Sequence, residues 1–231
     1  MKFAKLCAAS LLCVSSLSSQ AAQLDITITN LTHGIHFTPF IVAGHDTADQ
    51  MFAVGESASA ELQAIAEGGD ISGMATLLNS AGAVVVENPA AGLLAPGGNT
   101  NFVIDTGEHT QLSLVSMLLP TNDGFAGVDS WTIPDEPGVY WINVSAYDAG
   151  TEANDEIING AGAPGELGIP VAPGMDGGAN ATGVTTNESN QLIHIHRGNL
   201  GDDDLAGGKS DLDNRVHRWL NPVLRVRVEV L

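Results

Sequence analysis

Strict alternation of apolar and polar residues marks both ends of the chain. Leu24-Asp-Ile-Thr-Ile-Thr-Asn30 and Val223-Leu-Arg-Val-Arg-Val-Glu-Val-Leu231 each predict a strand with one buried face. In the second, a one-residue slip would bury the arginines, so its register is set. Ile35 to Val42 predicts a further extended segment, with Pro39 marking an edge or a bulge. Val84–Glu87 and Phe102–Asp105 predict short strands. Leu112–Leu119, ending at Pro120, is the strongest strand signal, and Gly138–Tyr147 and Leu192–His196 add two more. Helical signals are confined to one region. Ser57 precedes a helix from Ala58 to about Glu67, stopped by Gly68-Gly69. Asp70 caps a second short helix carrying Ile71, Met74, Leu77 and Leu78. Both are expected to pack against a sheet edge or end. Asn159 to Asn190, rich in Gly, Ala, Pro, Thr and Asn, is the longest predicted loop. Many strands and little helix favour an all-β, antiparallel β-sandwich with one or two short helices inserted.

The first residues change the picture of the compartment. Lys2 and Lys5 precede a short apolar run, Leu6 to Leu17, and Ser19-Gln-Ala-Ala22 supplies small residues for cleavage. That run is too short for a stable membrane span. Residues 1–22 are therefore expected to be a cleaved secretory signal peptide, leaving residues 23–231 as one domain, exported and periplasmic or extracellular. Both cysteines, Cys7 and Cys13, fall within the signal. The exported chain can form no disulfide, although it enters a compartment where disulfides persist.

Charge is distributed unevenly. No Lys or Arg occurs from Leu6 to His196, a stretch holding 21 Asp and Glu residues. Removing Lys2 and Lys5 takes the formal charge from −19 to −21. Such a surface repels nucleic acid and anionic membranes and favours cations, and it is equally a composition suited to saline surroundings.

Carboxylates cluster in two segments. SMLLPTNDGFAGVDS carries Asp123 and Asp129, and YWINVSAYDAGTEANDE carries Asp148, Glu152, Asp155 and Glu156. If the strands preceding these loops are neighbours, the loops converge at one end of a sheet. Oxygens gathered on turns are what calcium requires, commonly six to eight at about 2.3–2.6 Å. The alternative is a set of solvated turn residues.

These two segments resemble the spondin N-terminal (F-spondin) domain family, which shows a Ser-Met, then Pro-x-x-Asp with an aromatic and a Gly, and later Asp-Ala-Gly-Thr-acid. The likeness extends to ITITNLTHGIHFTPFIVAGHD and WLNPVLRVRVEV. The resemblance implies an antiparallel sandwich similar to calcium-dependent membrane-targeting domains, with a metal site at the loop end. It places Asp123, Asp148 and Glu152 on the metal positions, with Ca2+ as the ion. It also implies a non-enzymatic role in recognition or adhesion, toward an extracytoplasmic protein or glycan, with no nucleic acid and no stable membrane anchor. The chain departs from the animal pattern in Tyr147 for tryptophan, Glu152 for Asp, and the absence of cysteines from its exported part.

Other constellations are weaker. His194 and His196 share a strand face and, with His33, His36 or His45, form a candidate zinc or copper set. Gly201-Asp-Asp-Asp204 with Asp211 and Asp213 is either a second calcium loop or a set of pairs with Lys209, Arg215 and Arg218. There is no Gly-x-Ser-x-Gly elbow and no His-Glu-x-x-His motif. Two rivals to a recognition domain stay open: a metal-dependent secreted hydrolase using paired carboxylates, and a structural acidic periplasmic protein.

Overall fold

A computed structural model describes residues 22–175, 177–185 and 187–231. The segment expected to be the signal peptide, with Cys7 and Cys13, lies outside the described residues apart from Ala22. Ten strands and two helices follow in the order β1 (Gln23–Asn30), β2 (His36–Phe37), β3 (Ile41–His45), α1 (Ala60–Gly68), α2 (Ser72–Ala81), β4 (Val84–Glu87), β5 (Asn99–Asp105), β6 (Gln111–Leu119), β7 (Gly124–Thr132), β8 (Gly138–Asp148), β9 (His194–Ile195) and β10 (Leu224–Val230).

The strands pair antiparallel in the order β4-β3-β6-β7-β8-β10-β1-β5, with β2 added to β6 and β9 to β8. The sheet folds back on itself until its end strands, β4 and β5, touch. β8 makes the fold possible. Its first part, Gly138 to Val144, pairs with β10, and its second part, Ser145 to Asp148, pairs with β7. One strand thus belongs to both layers and carries the chain from one to the other.

Between the layers lies the main core. β1 supplies Leu24, Ile26 and Ile28, β10 supplies Leu224, Val226, Val228 and Val230, and β6 supplies Leu112, Leu114 and Leu118 from the opposite side. The alternation read in the two end segments is this geometry: Leu24 to Asn30 pairs residue by residue with Val230 to Leu224. β6 is buried at all nine positions. Its other face packs with Ile41, Ala43 and Phe125 against Leu62, Ile65, Met74 and Leu78 of the helices. A strand sandwiched between a sheet and a helical layer reads as a continuous apolar run, which is why it gave the strongest signal.

The helices therefore cover a sheet face rather than an edge or end. The first begins later than its composition suggests. Ser59, not Ser57, is the cap, and its side chain accepts from the Leu62 N–H at 3.2 Å. Asp70 accepts from the Ser72 N–H at 2.9 Å, just before α2. Ile35–Val42 is not one segment but two short pieces, β2 and β3, separated around Pro39. The largest correction is β7. Its glycines and acids resemble a loop, yet Gly124–Thr132 is a full strand between β6 and β8. Gly127 explains part of this, since a Cβ there would lie 2.6 Å from the Phe52 ring. No helix among the described residues is long and apolar enough to cross a membrane.

Candidate metal centre

β7 pairs with the end of β8 so that Gly124 faces Asp148 and Phe125 faces Tyr147. Asp123 stands immediately before β7, and the Asp148-Ala-Gly-Thr-Glu152 turn follows β8. The register therefore brings the two predicted acidic segments to one end of the sheet. One pair further along the same ladder, Phe125 and Tyr147 join Phe52 in a cluster with ring centroids 5.1–5.5 Å apart. The aromatic of the first motif thus packs in the helix-side core beside the loop end.

Asp123 ties the turn together. Its Oδ2 accepts from the N–H groups of Thr151 (2.8 Å) and Glu152 (3.1 Å), and its backbone oxygen accepts from Ala149 (3.2 Å). Asp148 accepts from the Gly150 N–H at 2.9 Å and the Asn154 amide at 2.7 Å. Glu152 Oε2 accepts from Asn122 and from the Gly168 N–H. Asn122 also donates to Asp155 at 2.8 Å, and its own oxygen accepts from the Glu156 N–H.

All three predicted residues are buried: Asp123 is 0% exposed, Asp148 2% and Glu152 5%. Two oxygens among them, Asp123 Oδ1 and Glu152 Oε1, have no hydrogen-bond partner. Burial pushes the Asp123 carboxyl well above the usual range, and the Asp148 charge pushes it further. Asp148 is raised by burial. Glu152 is raised to about 8, chiefly by burial, with Glu67 and Asp123 adding repulsion. Buried carboxylates are normally paired with a cation. Among the described residues no Lys or Arg forms an ion pair with these three. His194 Nε2 lies 3.9 Å from Asp148 Oδ2, and Arg197 donates to the backbone oxygen of Asn154 at 3.3 Å.

This donor set fits a hard cation, since its atoms are anionic or amide oxygens and two of them are unpartnered. It is not a finished shell: among the described residues no three His, Asp or Glu side chains stand close enough to hold an ion as they are. Binding would need the free carboxylate oxygens to turn inward. The sequence pointed to neither Asn122, which bridges Glu152 and Asp155, nor Glu67. Glu67 is fully buried on α1 and accepts from Gln63 and the Gly165 N–H. A signal for it existed in the lack of any Lys or Arg between Leu6 and His196, which leaves no nearby basic partner in the chain for an acid that becomes buried.

Other predicted candidates part company with the site. Asp129 lies along β7 and accepts from the Met51 N–H at 2.7 Å. Glu156 is buried but serves the loop beyond, accepting from Leu200, Gly201 and Ser210. Asp155 alone of this group joins the centre, through Asn122. The histidines do not assemble. His45 bonds to Ser113 at 2.6 Å in the core. His196 packs on Trp219, and His33 and His36 lie near His217. In the 201–213 segment, Asp202 accepts from the N–H groups of Asp204, Lys209 and Ser210. Asp211 accepts from Ile158, Ala179 and Ala181. These carboxylates organise their own loops, and Asp213 pairs with Arg215 at 2.7 Å.

The glycine of Asp148-Ala-Gly is required twice over. Gly150 has φ +71°, and a Cβ there would stand 2.7 Å from the Gln191 carbonyl carbon and 2.8 Å from the Leu192 nitrogen. Both neighbours are backbone and cannot swing aside. Gly150→Ala is expected to cost at least about 2 kcal/mol in urea unfolding, and a loss under about 0.5 kcal/mol would contradict this.

The architecture and the loop end define an antiparallel β-sandwich with a buried acidic centre. The family model for the spondin N-terminal domain, Spondin_N, matches residues 28–156. That is more than half of the chain, and it takes in both acidic segments. The chain belongs to the spondin N-terminal domain family. No curated protein matches it.

Proposed function

We propose that the chain is an exported, calcium-binding recognition or adhesion domain of spondin type, acting without catalysis in the periplasm or outside the cell. The supporting observation is the group of three buried carboxylates, Asp123, Asp148 and Glu152, with two unpartnered oxygens and, among the described residues, no Lys or Arg paired with them. In this reading these three hold Ca2+, with Asn122 and Asp155 as neighbours that orient them. The ion supplies positive charge that relieves repulsion among them. The residues do the rest. Asp123 fastens the 149–152 turn to the start of β7, and Asn122 fastens the turn to residues 155 and 156. The loop end then keeps one shape for a protein or glycan partner. The chemistry of binding rather than catalysis suits a centre whose three proposed ligands are each 5% exposed or less.

Thermal unfolding of the exported chain, with calcium and with a chelator at fixed ionic strength, tests this. A ligand that binds only the folded state, at 100 times its Kd, stabilises by about 2.7 kcal/mol. Calcium is expected to raise the midpoint, and Asp148→Asn is expected to abolish the rise. In chelator the same variant removes a buried acid but leaves one oxygen to serve both the Gly150 N–H and the Asn154 amide, so its own midpoint in chelator is the reference for its calcium response. No calcium-specific shift in the native chain would overturn the proposal.

A further inference from the structure

The four-strand layer β5-β1-β10-β8 has two faces, and only one is occupied. Its inner side chains fill the main core. The helices lie on the other layer, so the outer face of this one is left uncovered by the described chain. The register lays Asn101, Thr27, Arg227 and Trp141 side by side across all four strands. Arg225 and Asn143 form the adjoining row. At a strand spacing of about 4.8 Å, four strands make a platform roughly 14 Å wide. Trp141 is 62% exposed, and Arg225 stands over its ring at 5.9 Å from the centroid. Arg227 is paired with Glu229. Among the described residues Arg225 forms no ion pair, although the chain carries a net charge of −19.

We propose that this face binds a polysaccharide bearing carboxylate groups, laid across the strands with a sugar ring on Trp141 and a carboxylate on Arg225. Three features select this partner. An exposed indole presents an electron-rich face, which suits the C–H face of a pyranose. A guanidinium held against that indole, with its charge unspent, is a planar fork matched to a carboxylate. In the two rows beside them Asn101, Asn143, Thr27 and Thr29 match sugar hydroxyls in donor and acceptor roles, while the acids of the next row, Asp25 and Glu229, are engaged by Asn101 and Arg227. Asn101 is already fixed by Asp25 and Thr27, so less side-chain freedom is lost on binding. A protein partner fits less well, because the exposed apolar side chains of this face, Trp141 with Val139 on β8 and Val103 on β5, are separated in the register by Asp25 and Glu229 rather than forming one contiguous apolar centre. A nucleic acid carries a charge on every residue, and the chain's acidity opposes it. A uronate polymer with neutral sugars between its charges meets less of that repulsion, which salt confines to about 8 Å at physiological strength.

The face is separate from the acidic centre. Trp141 precedes Asp148 by seven residues on β8, roughly 23 Å at strand rise. Binding here does not need the metal, and it is expected to persist in Asp148→Asn.

The test is calorimetric titration at about pH 6.5 and about 0.15 M salt with octasaccharides of hyaluronate and of unsulfated chondroitin, in both of which uronates alternate with neutral sugars. Their carboxyl-reduced forms serve as neutral counterparts. At least one acidic chain is expected to bind. Trp141→Ala, Arg225→Gln and carboxyl reduction should each weaken that binding at least about tenfold. Both side chains are exposed, so the melting temperatures of the variants should match the native one. Absence of binding by both acidic chains at millimolar concentration would overturn the proposal. So would binding indifferent to the two substitutions, or equal binding of the reduced chains. A concentration-dependent dimer lost in Trp141→Ala would assign the face to a second copy of the chain instead.

Discussion

Between about pH 6.5 and 8.5, in chelator, the protein is expected to lose stability as pH rises, and in saturating calcium to keep it. The sign follows from where protons reside. Glu152 has a folded pKa of about 8, above its ordinary 4.5. The folded state therefore holds a proton that the unfolded state releases. Its contribution is complete below about pH 4.5 and is lost as pH climbs through about 8. Asp123 and Asp148, raised chiefly by burial, act in the same direction. His196 acts oppositely. It is buried, and its pKa is depressed to about 3, chiefly by that burial. Its contribution is present above its ordinary 6.5 and is lost as pH falls toward 3. The two effects compete below about pH 6.5, and above it the carboxylates act alone. A tenfold difference in proton affinity between folded and unfolded chains corresponds to about 1.4 kcal/mol, so a loss on the order of 2 kcal/mol is expected across the window. Calcium binds the ionised acids and should flatten or reverse the slope. Urea midpoints at matched ionic strength measure it. Equal slopes with and without calcium would remove the link between these carboxylates and a cation.

Phe125→Ala is expected to cost about 3–5 kcal/mol and to weaken the calcium response together with stability. Phe125 is fully buried, stands edge-on to Phe52 at 82°, and lies 5.5 Å from Tyr147. It sits in β7 between β6 and β8, so the backbone on either side cannot close over the vacated space. Its neighbour Gly124 is the partner of Asp148. A loosened β7 would thus disturb the pairing that aligns the two acidic loops. Phe125→Leu removes less volume and should cost less. A midpoint shift in urea without a change of slope would attribute the loss to stability alone. A cost under about 1 kcal/mol would show that the aromatic cluster does not hold β7 in place.

Local chemistry carried much of the architecture. β1 and β10 were legible because a half-buried strand must alternate. β6 was legible because burial on both faces demands an apolar run, and α1 because Gly68-Gly69 stops it. The family was legible in the short motifs around Asp123, Asp148 and Glu152, and the match over residues 28–156 establishes it. β7 was not legible, since Gly124 and Gly127 look like turn residues until Phe52 is seen to need the space.

The linear chain thus specified a β-rich protein, the stretch of chain that forms its helices, and an excess of acid with no basic residue nearby in sequence. Which acids are buried together was settled only by folding in three dimensions. Asp129 and Asp123 are six positions apart, yet one caps a distant loop and the other anchors the centre. Glu67 arrives from a helix more than fifty residues before Asp123. Desolvation and Coulomb repulsion depend on distances through space. Those are fixed by strand register and by the crossing of β8 between layers, which no local pattern along the chain encodes.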